Sequence, residues 1–242
     1  MTPSPDPLSL SRTLLEGVKR GADTADSRRR LAALDTDALL AALDTDARRL
    51  AFWCNVYNGY AQHLLDADPG RWDRRWLFFR RSLVPVAGRS LSLDDIEHGV
   101  LRRSMSSLGL GYLPRLRPSE FERRARVDER DPRIHFALNC GAASCPPVAS
   151  YDADAVDNQL DLAAGGYLDA TVEYDDEADV ARVPRLLLWY RGDFGGRSGV
   201  IDFLREYDAI PVDASPTLRY LGWDWSLSRG GFEERSGSEE GT

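Results

Sequence analysis

The chain has 242 residues, near the upper end for one core and long enough to bury roughly 70–75% of its unfolded surface. Apolar residues make up 43%, which excludes a disordered chain, and no apolar run approaches the ~20 residues a membrane span requires. The net charge of −8 comes from 27 Asp and 12 Glu against 30 Arg and one Lys, Lys19.

Dominant Asp with Lys almost absent points to a halophilic protein. At ~1 M salt the screening length is about 3 Å, so crowded surface acids hardly repel one another. A GC-rich genome would also favour Arg over Lys, but the Asp excess tips the reading towards salt. Met1 to Asp6 carries two prolines, an acid and no apolar stretch, unlike a secretory signal. A soluble, cytoplasmic protein is expected. Three cysteines, Cys54, Cys140 and Cys145, do not make a disulfide framework in a chain this long and read as thiols.

Charge is unevenly spread. Residues 71–133 hold 15 Arg against 9 acids, and Arg71, Arg74, Arg75, Arg80 and Arg81 interleave with Trp72, Trp76, Phe78 and Phe79. Such a segment can track a nucleic-acid backbone. The stronger reading pairs the arginines with surface acids and turns the aromatics inward, because a polyanion would meet a strongly negative protein.

In chain order, residues 1–8 read as a flexible tail. The octapeptide Leu-Ala-Ala-Leu-Asp-Thr-Asp-Ala occurs at 31–38 and again at 40–47. Each copy ends in helix-capping chemistry, so short helices should step into a longer one from about Asp46 to Leu65. Ala51, Asn55, Asn58 and Gln62 fall on one stripe of that helix. Residues 76–92 alternate as a hairpin turning near Gly88. Ser92 with Asp95 forms a variant capping box opening a helix to Arg103. Ile134–Leu138 reads as a strand breaking at Asn139-Cys140-Gly141. A helix from Asp152 to Leu168 follows, then a hairpin at Asp175-Asp176, helices at 186–190 and 199–207, and a strand from Leu218 to Trp223. Residues 233–242 read as an acidic tail. No linker splits 9–232. The fold class expected is α+β: a single domain whose helical N-terminal half packs on a small, mostly antiparallel sheet with hairpins.

The stretch from Asp131 to Pro147 carries the chemistry. A strand would deliver Cys140 to its C-terminal end, Gly141 would let the backbone turn, and Pro146-Pro147 would close the loop. Strand ends of this kind place reactive groups. A catalytic thiolate needs a base or cation nearby. Of the three histidines, His63 reads as a helix surface residue, and strand alternation points His135 away from Cys140. His98 comes from a separate helix with Glu97 beside it and Asn55 and Asn58 in reach, which is the logic of thiol hydrolases and acyl transferases. The pair lacks the help of a helix dipole, since Pro146-Pro147 separates both cysteines from the next helix.

Three blocks carry a resemblance: Phe52–Asn58, Leu91–Arg102 and Ile134–Pro147. Together they resemble the signature of the family called domain of unknown function 547. Trp189–Phe194 and Asp224–Leu227 are similar to its C-terminal blocks, so the likeness spans roughly 46–228. The resemblance implies a widespread family, fused in plants to coiled-coil regions that suggest scaffolding, and it implies no particular reaction. Its polar positions fall on Asn55, Asn58, Glu97, His98, Cys140 and Ser144. Cys145 stands where the pattern has Cys or Ser and ranks below Cys140. The chain departs from the pattern at Cys54, usually aliphatic, and at Ser228, usually Asn.

The expectation is a thiol-dependent hydrolase or acyl/amide transferase acting on a small molecule or peptide without a cofactor. Cys140 would be the nucleophile and His98 the base, oriented by Glu97 or Asn55, with Asn58 and His135 in support. Backbone N–H groups of Gly141–Ser144 would serve as oxyanion donors. The rival is a non-catalytic module whose protein partner meets the basic 71–133 region. A third reading joins His98, His135, Cys140 and Cys145 around a structural zinc. Nothing in the sequence calls for a membrane.

Overall fold

The computed structural model describes residues 6–232. The tail expected at 233–242 lies outside those residues, as does most of the one expected at 1–8. Helix α1 (Pro7–Lys19) already begins at Pro7, capped by Asp6, whose carboxylate accepts from Ser9 N. The repeated octapeptide acts as its chemistry dictates. After α2 (Ala25–Ala32), Asp35 caps α3 (Thr36–Ala42) by accepting from Ala38 N, and Thr45 caps α4 (Asp46–Ala67) by accepting from Arg48 N.

Helix α4 is the axis of the molecule. Every residue from Leu50 to Gln62 is buried, so it packs on all sides, as a central core helix must. Leu10, Leu14 and Val18 of α1 join Leu50, Trp53, Tyr57 and Ala61 of α4 in a large apolar cluster. Phe136 of the 131–138 segment instead joins a second cluster, built by α7 (Val156–Thr171), α8 (Leu186–Trp189) and α9 (Gly196–Glu206).

Two small sheets replace the one expected. Strands β1 (Val84–Val86) and β2 (Arg89–Leu91) pair antiparallel, turning at Ala87-Gly88. Strand β3 (Glu173–Asp175) pairs antiparallel with β4 (Val180–Val183), which pairs parallel with β5 (Thr217–Tyr220). The α+β class stands. The hairpin expected over 76–92 is shorter, because α5 (Arg75–Arg80) occupies its first half. Leu77-Phe78-Phe79 is a contiguous apolar run, which a two-faced strand cannot bury on one side. A short α6 (Glu120–Ala125) lies farther along.

Two differences bear on the site. The Ser92–Asp95 box forms reciprocally, with Ser92 N donating to Asp95 Oδ2 and Asp95 N donating to Ser92 Oγ. The helix it opens, however, is a π-helix over Asp95–Leu101, with Arg102 N reaching back to Glu97 O. Residues 134–138 are not a strand. Pro132–Phe136 forms a 3-10 helix, with Pro132 in its first turn and Asp131 accepting from Arg133 N. Asp-Pro is a helix-opening signal, and it overrides the alternation of Ile134, His135 and Phe136.

Three amides on one face of α4 hold the loop that follows. Asn55 donates to Tyr151 O and accepts from Tyr151 N, both at 2.8 Å. Asn58 donates to Ala137 O at 2.8 Å and accepts from Asn139 N at 2.9 Å. Gln62 donates to Asn139 Oδ1 at 3.0 Å, and that oxygen also accepts from Gly141 N. Asn139 Nδ2 donates to Pro146 O at 2.7 Å. Asn55, Asn58 and Asn139 therefore satisfy buried backbone groups that have no water to turn to, and Gln62 holds Asn139 in place.

Asn58→Ala should lower the unfolding free energy by about 2–4 kcal/mol, since it orphans a buried N–H and a buried C=O. The exposed Asn158→Ala should stay within about 0.5 kcal/mol. Denaturant titration of both variants in the same salt checks the contrast, and equal losses would contradict it.

Candidate functional site

A cavity of about 470 Å³ opens at the seam of the two apolar clusters, within the size range of small-molecule sites. Tyr57 of α4 and Glu97 and His98 of the π-helix reach it, as do His135 of the 3-10 helix and Cys140 and Cys145 of the loop. Trp189 and Tyr190 at the end of α8, and Trp223 and Trp225 beyond β5, form an aromatic wall. Asn55, Asn58, Gly141 and Ser144 are not among the lining residues.

Cys140 and Cys145 are paired as a disulfide, which corrects the expectation of three free thiols. Gly141, at φ +99°, turns the chain between them, where a side chain would sit 2.5 Å from Leu65 Cδ1. The Cα atoms come to 6.3 Å, inside the range a disulfide bridges. Cys140 N donates to Cys145 Sγ at 3.2 Å. Cys54 remains a thiol, and full burial pushes its pKa far up, so it is inert.

A polar cluster underlies the cavity. Asp193, whose side chain is 3% exposed, accepts from Arg102 Nε at 2.6 Å, His135 Nε2 at 2.9 Å and Arg130 Nη1 at 3.1 Å. Burial alone would raise its pKa, but the His135 and Arg102 hydrogen bonds hold it well below the usual carboxylate range. A carboxylate only accepts, so Nε2 of His135 carries its hydrogen and the neutral ring keeps its lone pair on Nδ1. Burial drives the His135 pKa down despite Asp193. The ring stacks on Tyr190 at 3.7 Å between centroids.

Glu97 is buried yet ionised. Burial pushes its pKa up, but His98, Arg102 and the Tyr190 hydroxyl outweigh it. Tyr190 Oη donates to it at 2.7 Å and Tyr57 Oη at 3.4 Å. Both hydroxyls stay protonated, with pKa values raised by burial and by Glu97. Arg102 Nη1 lies 2.8 Å from His98 Nδ1. A guanidinium has no lone pair to offer, so Nδ1 accepts and the hydrogen of this ring sits on Nε2. Nε2 lies 3.8 Å from Asp94 Oδ1. Burial again lowers the His98 pKa. His98 thus enters the cavity as a neutral donor, and its proton-accepting atom is already taken.

The other sequence candidates hydrogen-bond away from the cavity. Asn55 and Asn58 spend their amides on loop backbone, leaving nothing to orient an imidazole. Of the oxyanion donors expected in the Gly141–Ser144 loop, three are spent: Gly141 N on Asn139, Ala143 N on Ser226 O and Ser144 N on Asp224 O. Ser144 Oγ accepts from Asp224 N. The zinc reading does not assemble. No group of three or more His, Cys, Asp or Glu among the described residues is placed to hold a metal, and the two sulfurs are bonded to each other.

Sequence reasoning missed Asp193 and gave Arg102 no part in the site beyond pairing with Glu97. Asp193 sits in the Trp189–Phe194 block already singled out, and Arg102 follows His98 by one helical turn. That spacing was the available signal for Arg102.

Fold and cavity define an α+β domain built round a buried helix with an aromatic-walled site. A family model described as "Protein of unknown function, DUF547" matches residues 40–168, more than half the chain, and the protein belongs to that family. The match ends before Trp189–Phe194 and Asp224–Leu227. No curated protein and no solved structure compared with the chain matches it. No helix among the described residues is long and apolar enough to cross a membrane.

Acid should destabilise the fold. His98 and His135 have lowered folded pKa values, so the unfolded chain binds more protons below its ordinary histidine pKa of about 6.5. Their stabilising contribution is complete above that value and is lost as pH falls beneath it. Glu97 and Asp193, also lowered, add a loss below about 4.5. Asp94, raised by burial, opposes them in part. Denaturation midpoints at pH 8, 6 and 5 should therefore fall in that order, and a rise on acidification would contradict the cluster.

Proposed function

We propose that this protein is a thiol-dependent hydrolase or acyl transferase, active when the Cys140–Cys145 disulfide is reduced. One observation carries the reading. His135, its Nε2 held by a buried carboxylate and its Nδ1 free to take a proton, lines the same cavity as both sulfurs. This replaces His98 as base and favours Cys145 as nucleophile over the expected Cys140, because Cys140 N–H points at the Cys145 sulfur and stabilises a thiolate there.

A dithiol reductant gives two electrons and two protons to the disulfide and leaves as its own disulfide. His135 takes the Cys145 proton, and the thiolate adds to an acyl carbon. The neutral Nε2–H of His98 is the nearby donor for the oxyanion, since the Tyr57 and Tyr190 hydroxyls are spent on Glu97. The leaving group departs with the proton held by His135, and water or an acceptor nucleophile then cleaves the thioester. The cytoplasmic location expected from the sequence would supply such a reductant, and disulfides found there are usually catalytic or redox-sensing.

A second reading, a non-catalytic interaction module, draws on the loop beside the cavity. Leu108, Leu113 and Leu116 there are 69%, 55% and 97% exposed, within the 71–133 region expected to meet a protein partner.

Timed iodoacetamide labelling of the dithiothreitol-reduced protein separates the two. Catalytic activation requires rapid labelling of Cys145 at pH 6–7, slowed about 10-fold or more by His135→Asn in a variant whose circular dichroism is unchanged. Labelling at the pace of an ordinary thiol of pKa about 8.5, indifferent to residue 135, would favour the module.

A further inference from the structure

The charged side chains lining the cavity are Asp94 and Glu97. No Arg or Lys is among the lining residues, although the chain carries 30 Arg. Both lining histidines are held neutral by burial. Behind the wall, Arg102 is shared between Asp193 and His98 and does not reach the cavity. Arg80, largely exposed, approaches Asp94 Oδ2 at 3.6 Å, an arrangement that screens weakly in water.

The wall has the same polarity. Trp189, Trp223 and Trp225 lie in mutual contact, with centroids 5.2, 5.8 and 6.0 Å apart. Indole faces present the negative part of the ring quadrupole. One cation already uses such a face, since the Arg75 guanidinium sits 5.1 Å from the Trp225 centroid without lining the cavity.

We propose that the cavity selects substrates bearing an ammonium or guanidinium group close to the acyl carbon, with the cation between Asp94, Glu97 and the tryptophan wall. The acyl part of this statement rests on the thiol-dependent reading above; the preference for a cation does not.

The test uses the full chain in its oxidised form, so that binding needs no free thiol. Nα-acetyl-arginine amide and its neutral isostere Nα-acetyl-citrulline amide are titrated by calorimetry, with Nα-acetyl-glutamate amide as the anionic control. The arginine compound should bind about 10-fold tighter than citrulline, and the glutamate compound weakest of the three. Asp94→Asn should shrink the arginine–citrulline ratio to about 3-fold or less. Trp225→Ala, at a position 38% exposed, should weaken the arginine compound more than citrulline. Equal affinities, tighter binding of the anion, or no binding of the arginine compound would overturn the proposal. Cation-selective binding in a protein whose reduced cysteines label slowly would leave the inference standing and remove the catalytic reading. Fast His135-dependent labelling without cation selectivity would do the reverse.

Discussion

A buried carboxylate is the constraint on which the site depends. Asp193 is nearly inaccessible, so its charge is tolerable only because Arg102, His135 and Arg130 donate to it. The dependence runs both ways. Arg102 is 1% exposed, and removal of its partner would leave an uncompensated buried charge, a loss on the order of 3–5 kcal/mol in comparable pairs. Through Arg102 the same carboxylate reaches His98, and through His135 it reaches the ring of Tyr190 and hence Glu97. One ionised group thus sets the tautomer of both imidazoles. Its backbone is equally confined. Gly192 N donates to Leu110 O, and a side chain on Gly192 would meet the Gly111 carbonyl carbon at 2.5 Å. The loop at the cavity mouth is therefore fixed to the residue beside the anchor.

The second support is the amide face of α4. Apolar packing places the helix, but it cannot specify the path of the irregular chain from Ala137 to Tyr151, whose backbone groups need partners of their own. Asn55, Asn58 and Gln62 supply them directly or through Asn139. The loop carrying both sulfurs is held by its backbone, leaving the sulfurs at the cavity edge. Residues that a motif comparison would rank with the reactive ones serve here as the frame that positions them.

Much of this was legible in the residues. The twice-repeated Asp-Thr-Asp announced two helix starts, the Ser92–Asp95 pair a third, and the spacing of Asn55, Asn58 and Gln62 a shared face. The three blocks around residues 55, 97 and 140 do meet at one place. What failed did so for physical reasons. Alternation at 134–138 looked like a strand, but Asp131-Pro132 opens a helical turn, and that turn brings His135 to the cavity. Three cysteines in a chain expected to be cytoplasmic read as thiols, yet a positive-φ glycine brings two of them together. Asp193 was invisible because a lone Asp in a loop block declares neither burial nor partners. Its role depends on Arg102 and His135, 91 and 58 residues away in sequence.

The central claim is that burial keeps His135 neutral while Asp193 fixes its hydrogen on Nε2, leaving a lone pair on Nδ1. Nitrogen-15 NMR of the imidazole rings in the native protein at pH 7 reads that state directly. The account predicts for His135 a protonated Nε2 coupled to its ring hydrogens and an unprotonated Nδ1, with the ring charging only below the ordinary histidine pKa of about 6.5. A hydrogen on Nδ1, or a ring charged at pH 7, would contradict it.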